Sequence, residues 1–388
     1  KLPGSAFSFC EALALHCFAN EYIFLETNKE KERIEQLGKE IGHLVYGNKP
    51  IPALNFAMLA TYRPLHIFPW ADQLIDVDST NRLYKILNRH VLETKEERCL
   101  RFQIENITPI GGEVSQSVRE QYEENPYPRW INVGLTPEAK TVKSVMQTLK
   151  LDIDFKRQQF PLRPNVLIAG CGTGQHALGT ASRFSDCSVL AIDLSLSSLS
   201  YARRRTRELS VSNIEYKQAD ILKLTKFGRQ FDIIESAGVL HHMEDPLAGW
   251  KALVDLLKPQ GLMKIGLYSE IARQHIVEIR EFISKKEYNN TPEDIRQCRS
   301  ELVNMAVDSE SGMRKIVNSP DFYSLSGCRD LLFHVQEHRF TLPQIERALE
   351  ELGLIFIGFE LENSQTIHKF RALSPGDEDK VSLSLWHQ

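Results

Sequence analysis

Three glycines at alternating positions, Gly170-Cys171-Gly172-Thr173-Gly174, follow directly on the apolar run Asn165-Val-Leu-Ile-Ala169. A short apolar run of this kind is the pattern of a buried parallel strand, and glycines let the chain turn tightly and approach a ligand closely. Farther on, Ser188-Val-Leu-Ala-Ile192 ends in Asp193, an acid at the tip of a second strand. A carboxylate there can accept both hydroxyls of a ribose. A pyrophosphate loop needs G-x-G-x-x-G, whose third glycine lets a helix pack close beneath the phosphates. Here Gln175 follows Gly174, so the third glycine comes one place early. The loop suits a nucleoside without a pyrophosphate.

Further segments follow in a fixed order. Tyr216-Lys-Gln-Ala-Asp220-Ile221 places a second acid at a strand end, and Phe231-Asp-Ile-Ile-Glu235-Ser-Ala-Gly238-Val-Leu-His241-His242 reads as a strand and its loop. Leu256-Leu-Lys-Pro259-Gln260-Gly261 turns into another apolar run that ends at Tyr268. Over about residues 163–270 the chain resembles the class I S-adenosylmethionine-dependent methyltransferases, with Gln260 in place of one glycine of their L-K-P-G-G turn. The resemblance implies an α/β fold: a seven-stranded, mostly parallel, doubly wound sheet. It implies S-adenosylmethionine as cofactor, S-adenosylhomocysteine as product, and no metal. It also implies that Gly170, Cys171, Gly172 and Gly174 approach the methionine portion and that Asp193 and Leu194 lie at the ribose. Asp220 and Ile221 would then hold the adenine, with Gly238 beside the cofactor. Near the acceptor, His241 and Tyr268 are candidate catalytic groups. Each of the "L-H-H" histidines also has a purely positional reading.

These groups need elements to position them. Thr341-Leu-Pro343-Gln344 is a helix start, with Thr as cap, Pro in the first turn and Gln at the third helical position. Ile345, Leu349 and Leu352 form one face, and Gly353 closes it. Leu354–Phe359 and Thr366–Leu373 read as strands that complete the sheet as a hairpin. Before the core, residues 1–110 carry helical spacing (Ile34, Leu37, Ile41 and Leu44 among others) and read as an all-helical domain. Similar leaders occur in bacterial methyltransferases that also carry tetratricopeptide repeats. Residues 111–162 read as linker and cofactor lid, 163–269 as the first part of the core, 270–335 as a helical cap insertion, and 336–388 as the closing helix and strands.

The lid reading rests on Tyr122-Glu-Glu-Asn125-Pro126-Tyr127-Pro128-Arg129-Trp130, where polar-tipped aromatics cluster in one turn. The competing reading is a rigid turn that caps the preceding helix. As a lid it makes Tyr127 a candidate catalytic group and Arg129 and Trp130 candidate substrate contacts, joined by Tyr323 and His334 from the insertion. His334-Val-Gln-Glu337-His338 matches the inverted zinc-protease pattern H-x-x-E-H, with its histidines one helical turn apart. The surrounding core already has another identity, so these side chains read as hydrogen-bonding groups at a helix end, and no metal is expected.

A net charge of −4 and a pI near 6.4 give no global electrostatic reason to bind nucleic acid or an anionic membrane. No apolar stretch is long enough for a membrane span. The seven cysteines are scattered without C-x-x-C spacing, and no signal peptide is visible; both fit a cytoplasmic protein with reduced thiols. Large helical additions on both sides of the core point to a protein acceptor such as lysine. A small-molecule acceptor, a quinone or natural-product intermediate, is the alternative, and a non-catalytic cofactor-binding scaffold is a third reading.

Overall fold

A computed structural model describes residues 3–76, 78–149, 151–306, 312–361, 364–373 and 382–387. Two compact units divide the chain. One gathers residues 1–103, 122–131 and 275–334; the other gathers 104–121, 132–274 and 335–388.

The second unit is built on a parallel sheet of β1 (Asn165–Ala169), β2 (Ser188–Asp193), β3 (Ile214–Gln218), β4 (Phe231–Ala237) and β5 (Leu257–Gly266), in the order β3-β2-β1-β4-β5. Its central strands β1 and β2 are near-continuous apolar runs because both faces are covered. Val166 and Ile168 of β1 join a cluster with Ala177, Ala181, Leu199 and Ala202, from the helices Gln175–Arg183 and Leu196–Glu208. Leu167 and Ala169 point the other way, into a cluster with Trp250, Leu253 and Ala348 from the helices Pro246–Val254 and Leu342–Leu352. The sheet is doubly wound. The reversal of strand order falls between β1 and β4, and open α/β sheets bind ligands outside the carboxyl ends of the strands at such a point.

Helix boundaries follow the cap chemistry. Asp245 accepts the N–H groups of Leu247 and Ala248, each at 3.0 Å, with Pro246 in the first turn. Thr341 and Gln344 form a capping box, and Gly353 closes that helix in the left-handed conformation. The sheet departs from expectation at its end. Five strands, not seven, are present among the described residues. Leu354–Phe359 forms no strand and joins no ladder; Ile357 C=O accepts the Asp152 N–H at 2.8 Å, and Ile355 is 86% exposed. Thr366–Leu373 lies within the helix Ser364–Leu373. Its apolar residues Ile367, Phe370 and Leu373 recur every third position, which suits a helix face and cannot give one face of a strand.

The first unit is helical. The helices Pro3–Ala19, Asn28–Tyr46 and Ala53–Tyr62 enclose a core of Phe7, Ile41, Phe56, Leu59 and Trp70. The helices Gln274–Lys285, Pro292–Ala306 and Leu325–Phe333 enclose another, with Ile279, Ile295, Leu302, Phe322 and Leu332. Buried Glu21 ties these parts together: its carboxylate accepts the Ser326 N–H at 2.6 Å and the Asn125 side-chain amide at 3.3 Å. No described helix is long and apolar enough to cross a membrane.

Candidate cofactor and acceptor site

At the carboxyl ends of β1 and β2, Gly170 and Cys171 both donate their N–H to Ile192 C=O at 2.9 Å, which pins the glycine loop to β2. Two of the three glycines answer to packing. A Cβ on Gly170 would lie 2.2 Å from Val239 Cγ2, and one on Gly174 would lie 2.6 Å from Ala202 Cβ. Gly172 N–H donates to Asp193 Oδ2 at 2.8 Å. Asp193 Oδ1 accepts the Ser195 N–H at 2.9 Å. Both carboxylate oxygens are thereby oriented. Cys171 fills the space beneath; burial and the Asp193 charge push its thiol well up, so it stays protonated.

Asp220, after β3, is 1% exposed. Its Oδ1 accepts the Leu222 N–H at 3.0 Å and its Oδ2 the Gly111 N–H at a long 3.4 Å. A strap before the core supplies the second contact. Asn106 forms a parallel bridge with Gln218, and Thr108 Oγ1 accepts the Asp220 N–H at 2.7 Å. Sequence reading missed this strap, since its contacts join residues more than a hundred positions apart. Leu194 C=O accepts the Gln218 side-chain amide at 2.8 Å, and Ile221 is buried in the sheet core.

At the ends of β4 and β5 a stacked wall rises. His241 and Tyr268 lie ring on ring at 3.7 Å, and the Arg273 guanidinium covers Tyr268 at 3.8 Å. Glu337 accepts from two of the three Arg273 nitrogens, Nη2 and, at 3.3 Å, Nε. His338 N–H donates to His241 C=O at 2.7 Å and Phe340 N–H to Tyr268 C=O at 2.8 Å, which zips this segment along the wall. Burial first, then the neighbouring His242, Arg273 and His338, press the His241 imidazole down to about 2. It is therefore neutral at physiological pH, suited to hydrogen bonding and ill suited to taking a proton. Residues 334–340 lie outside any helix, so the H-x-x-E-H histidines are not one helical turn apart.

The remaining candidates belong to the helical unit. Tyr127 Oη donates to Asp321 Oδ1 at 2.9 Å, Arg129 lies 3.9 Å from Glu21, and Trp130 is buried. Tyr323 is half-exposed, and His334 is buried with its C=O accepting from Arg280 at 2.8 Å. The sheet unit thus assembles Gly170, Gly172, Asp193, Asp220, Gly238, His241 and Tyr268 along one edge. The residues present fit S-adenosylmethionine on one further observation: a Cβ at Gly238 would meet no atom within 4 Å, so open space faces the end of β4.

Residues 166–261 match the family described as "Methyltransferase domain". The sheet unit thus carries a methyltransferase domain on a doubly wound parallel sheet. A Synechococcus protein described as uncharacterized is 31% identical over 239 residues, 58% of this chain and 56% of that protein. The ubiquinone biosynthesis O-methyltransferase of Acinetobacter baylyi is 37% identical over 97 residues, 25% of this chain and 40% of that enzyme. Among solved structures, PKMT2 from Rickettsia typhi is similar with a TM-score of 0.48 and 19% identity, over 65% of this chain and 52% of that one. This chain thus spans little more than half the length of the first of these relatives and less than half of the second.

Proposed function

We propose that the protein transfers a methyl group from S-adenosylmethionine to a protein side chain, with lysine as the first choice. The observation behind the cofactor half is the coupling of Gly172 to Asp193: one hydrogen bond sets both the loop turn and the carboxylate that meets the ribose. In this reading Gly170, Cys171, Gly172 and Gly174 shape the bed for the methionine portion, with Leu194 beside the ribose. Asp220 and Ile221 take the adenine, and Gly238 leaves room for the sulfonium. S-adenosylmethionine supplies an electrophilic methyl group, so the acceptor must be held in line about 3 Å away with water excluded. His241 and Tyr268 form a rigid wall there, His241 as a neutral hydrogen-bonding partner. Tyr127, Arg129, Trp130, Tyr323 and His334 are the acceptor contacts proposed from the helical unit. The protein-acceptor choice draws on the helical additions that flank the core in sequence.

The second reading, a small-molecule acceptor, is favoured by the similarity of the core to an enzyme named for ubiquinone biosynthesis. Calorimetry with S-adenosylhomocysteine tests the cofactor half: the wild type binds and Asp193→Ala does not. Unchanged affinity in the variant refutes the assignment. A tritiated-methyl assay on cell lysate tests the acceptor half. Label in protein supports the first reading, label in the organic extract replaces it with the second, and no label in either removes both.

A further inference from the structure

Arg299 lies on the helix Pro292–Ala306 in the helical unit and is 9% exposed. Buried arginines normally meet a carboxylate, because a buried unpaired charge costs several kcal/mol. Among the described residues Arg299 has no such partner: its Nε donates to Phe322 C=O at 2.9 Å, and no acid lies within salt-bridge distance. Burial lowers its pKa, and the groups acting against that are Cys328 and Tyr323, neither of them a carboxylate. Around the guanidinium stand three aromatic rings, with centroids at 5.2 Å for Phe24, 5.0 Å for Phe322 and 5.2 Å for Tyr323. Cation–π contacts at such distances offset part of the burial cost without neutralising the charge.

Two of the three rings reach the surface. Phe322 is fully buried, whereas Phe24 is 44% and Tyr323 46% exposed. The terminal nitrogens of Arg299 are not among the sealed, unpartnered atoms, so solvent reaches them. Leu25, next in sequence to Phe24, is also 49% exposed. A planar cation at the floor with two half-exposed rings as walls is complementary to an oxyanion carried on an apolar or aromatic group. The guanidinium fork offers parallel N–H donors to such an anion.

We propose that Arg299, Phe24 and Tyr323 form a binding site for an aromatic or apolar oxyanion, a carboxylate or a phosphate monoester. This site lies within the helical unit, uses one of the acceptor contacts proposed above, Tyr323, and does not depend on the cofactor reading. The competing explanation makes Arg299 a structural pin for the Phe322 carbonyl.

The test measures binding of benzoate, phenyl phosphate, inorganic phosphate and benzyl alcohol to the full chain, by calorimetry and by thermal shift. Benzoate or phenyl phosphate should bind and raise the melting temperature, inorganic phosphate should bind more weakly, and neutral benzyl alcohol should not bind. The stronger of the first two identifies carboxylate or phosphate as the source. Arg299→Met keeps the length and apolar contacts of the side chain and removes the unpaired charge. It should weaken binding at least about tenfold, the effect of losing one charge-assisted pair, and leave the melting temperature equal or higher. The half-exposed Phe24→Ala and Tyr323→Ala variants should fold normally and weaken binding of the aromatic anions; they decide the matter if Arg299→Met does not fold. No anion-dependent shift in the wild type, equal binding of benzyl alcohol, or undiminished binding in folded variants overturns the proposal.

Discussion

Replacing Glu235 with glutamine should cost the sheet unit about 3 kcal/mol at pH 7 and almost nothing at pH 2. Glu235 sits in the middle of β4 and is 1% exposed. Its carboxylate is 2.6 Å from Arg183 Nη2 and 2.8 Å from His176 Nε2, and it accepts a hydrogen bond from the Thr180 hydroxyl. Burial by itself would raise its pKa; His176, Arg183 and Thr180 together outweigh it and hold the group at about 2 against an ordinary 4.5. At 1.36 kcal/mol per pH unit this difference amounts to about 3 kcal/mol. Breaking a buried pair by removing one charge costs about 3–5 kcal/mol, and the partial exposure of Arg183 and His176 argues for the lower end. A carboxyl with a depressed folded pKa stabilises the fold above its unfolded value. That contribution is complete above about 4.5 and is lost as pH falls through about 2. Urea unfolding of wild type and Glu235→Gln at pH 7, 4 and 2 measures the gap. It should shrink steadily as pH falls. A gap below about 1 kcal/mol at pH 7, or one that does not narrow toward pH 2, would refute the reasoning. The helix carrying His176, Thr180 and Arg183 starts at Gly174, so cofactor affinity should fall with stability.

The glycines separate fold from function. Gly170→Ala should unfold the loop, since its Cβ would meet Val239 at 2.2 Å, whereas Gly238→Ala meets nothing and should cost only about 1 kcal/mol for its left-handed backbone while blocking the cofactor. Melting curves with and without S-adenosylhomocysteine distinguish the two; equal melting points for both variants would contradict the packing argument. Thr108→Val should leave the buried Asp220 N–H without an acceptor, at a cost of about 1–3 kcal/mol, and weaken cofactor binding, while Thr108→Ser restores both. Calorimetry on the pair checks this, and identical affinities in all three proteins would detach the strap from the adenine site.

Which features were legible in the chain depended on how local their causes are. The glycine loop, the acid ending β2 and the capped helices at Pro246 and Leu342 are fixed by neighbours a few residues away, and composition alone exposes them. The Glu235 cluster was legible in principle. An acid inside the apolar run of β4 needs partners, and His176, Thr180 and Arg183 recur at i, i+4 and i+7 on one helix face. What hides them is that only the fold brings that helix onto β4. The strap through Thr108 and the Arg273–Glu337 lock on Tyr268 have no such periodic signature, because each joins single residues across long separations. The misread C-terminal segment shows the converse. The family resemblance implies a strand at Thr366–Leu373, against the segment's own three-residue apolar spacing, and the helix follows the spacing. Where local periodicity and family expectation conflict, a single chain's periodicity reports the physics acting on that segment, and the expectation reports only what other chains do.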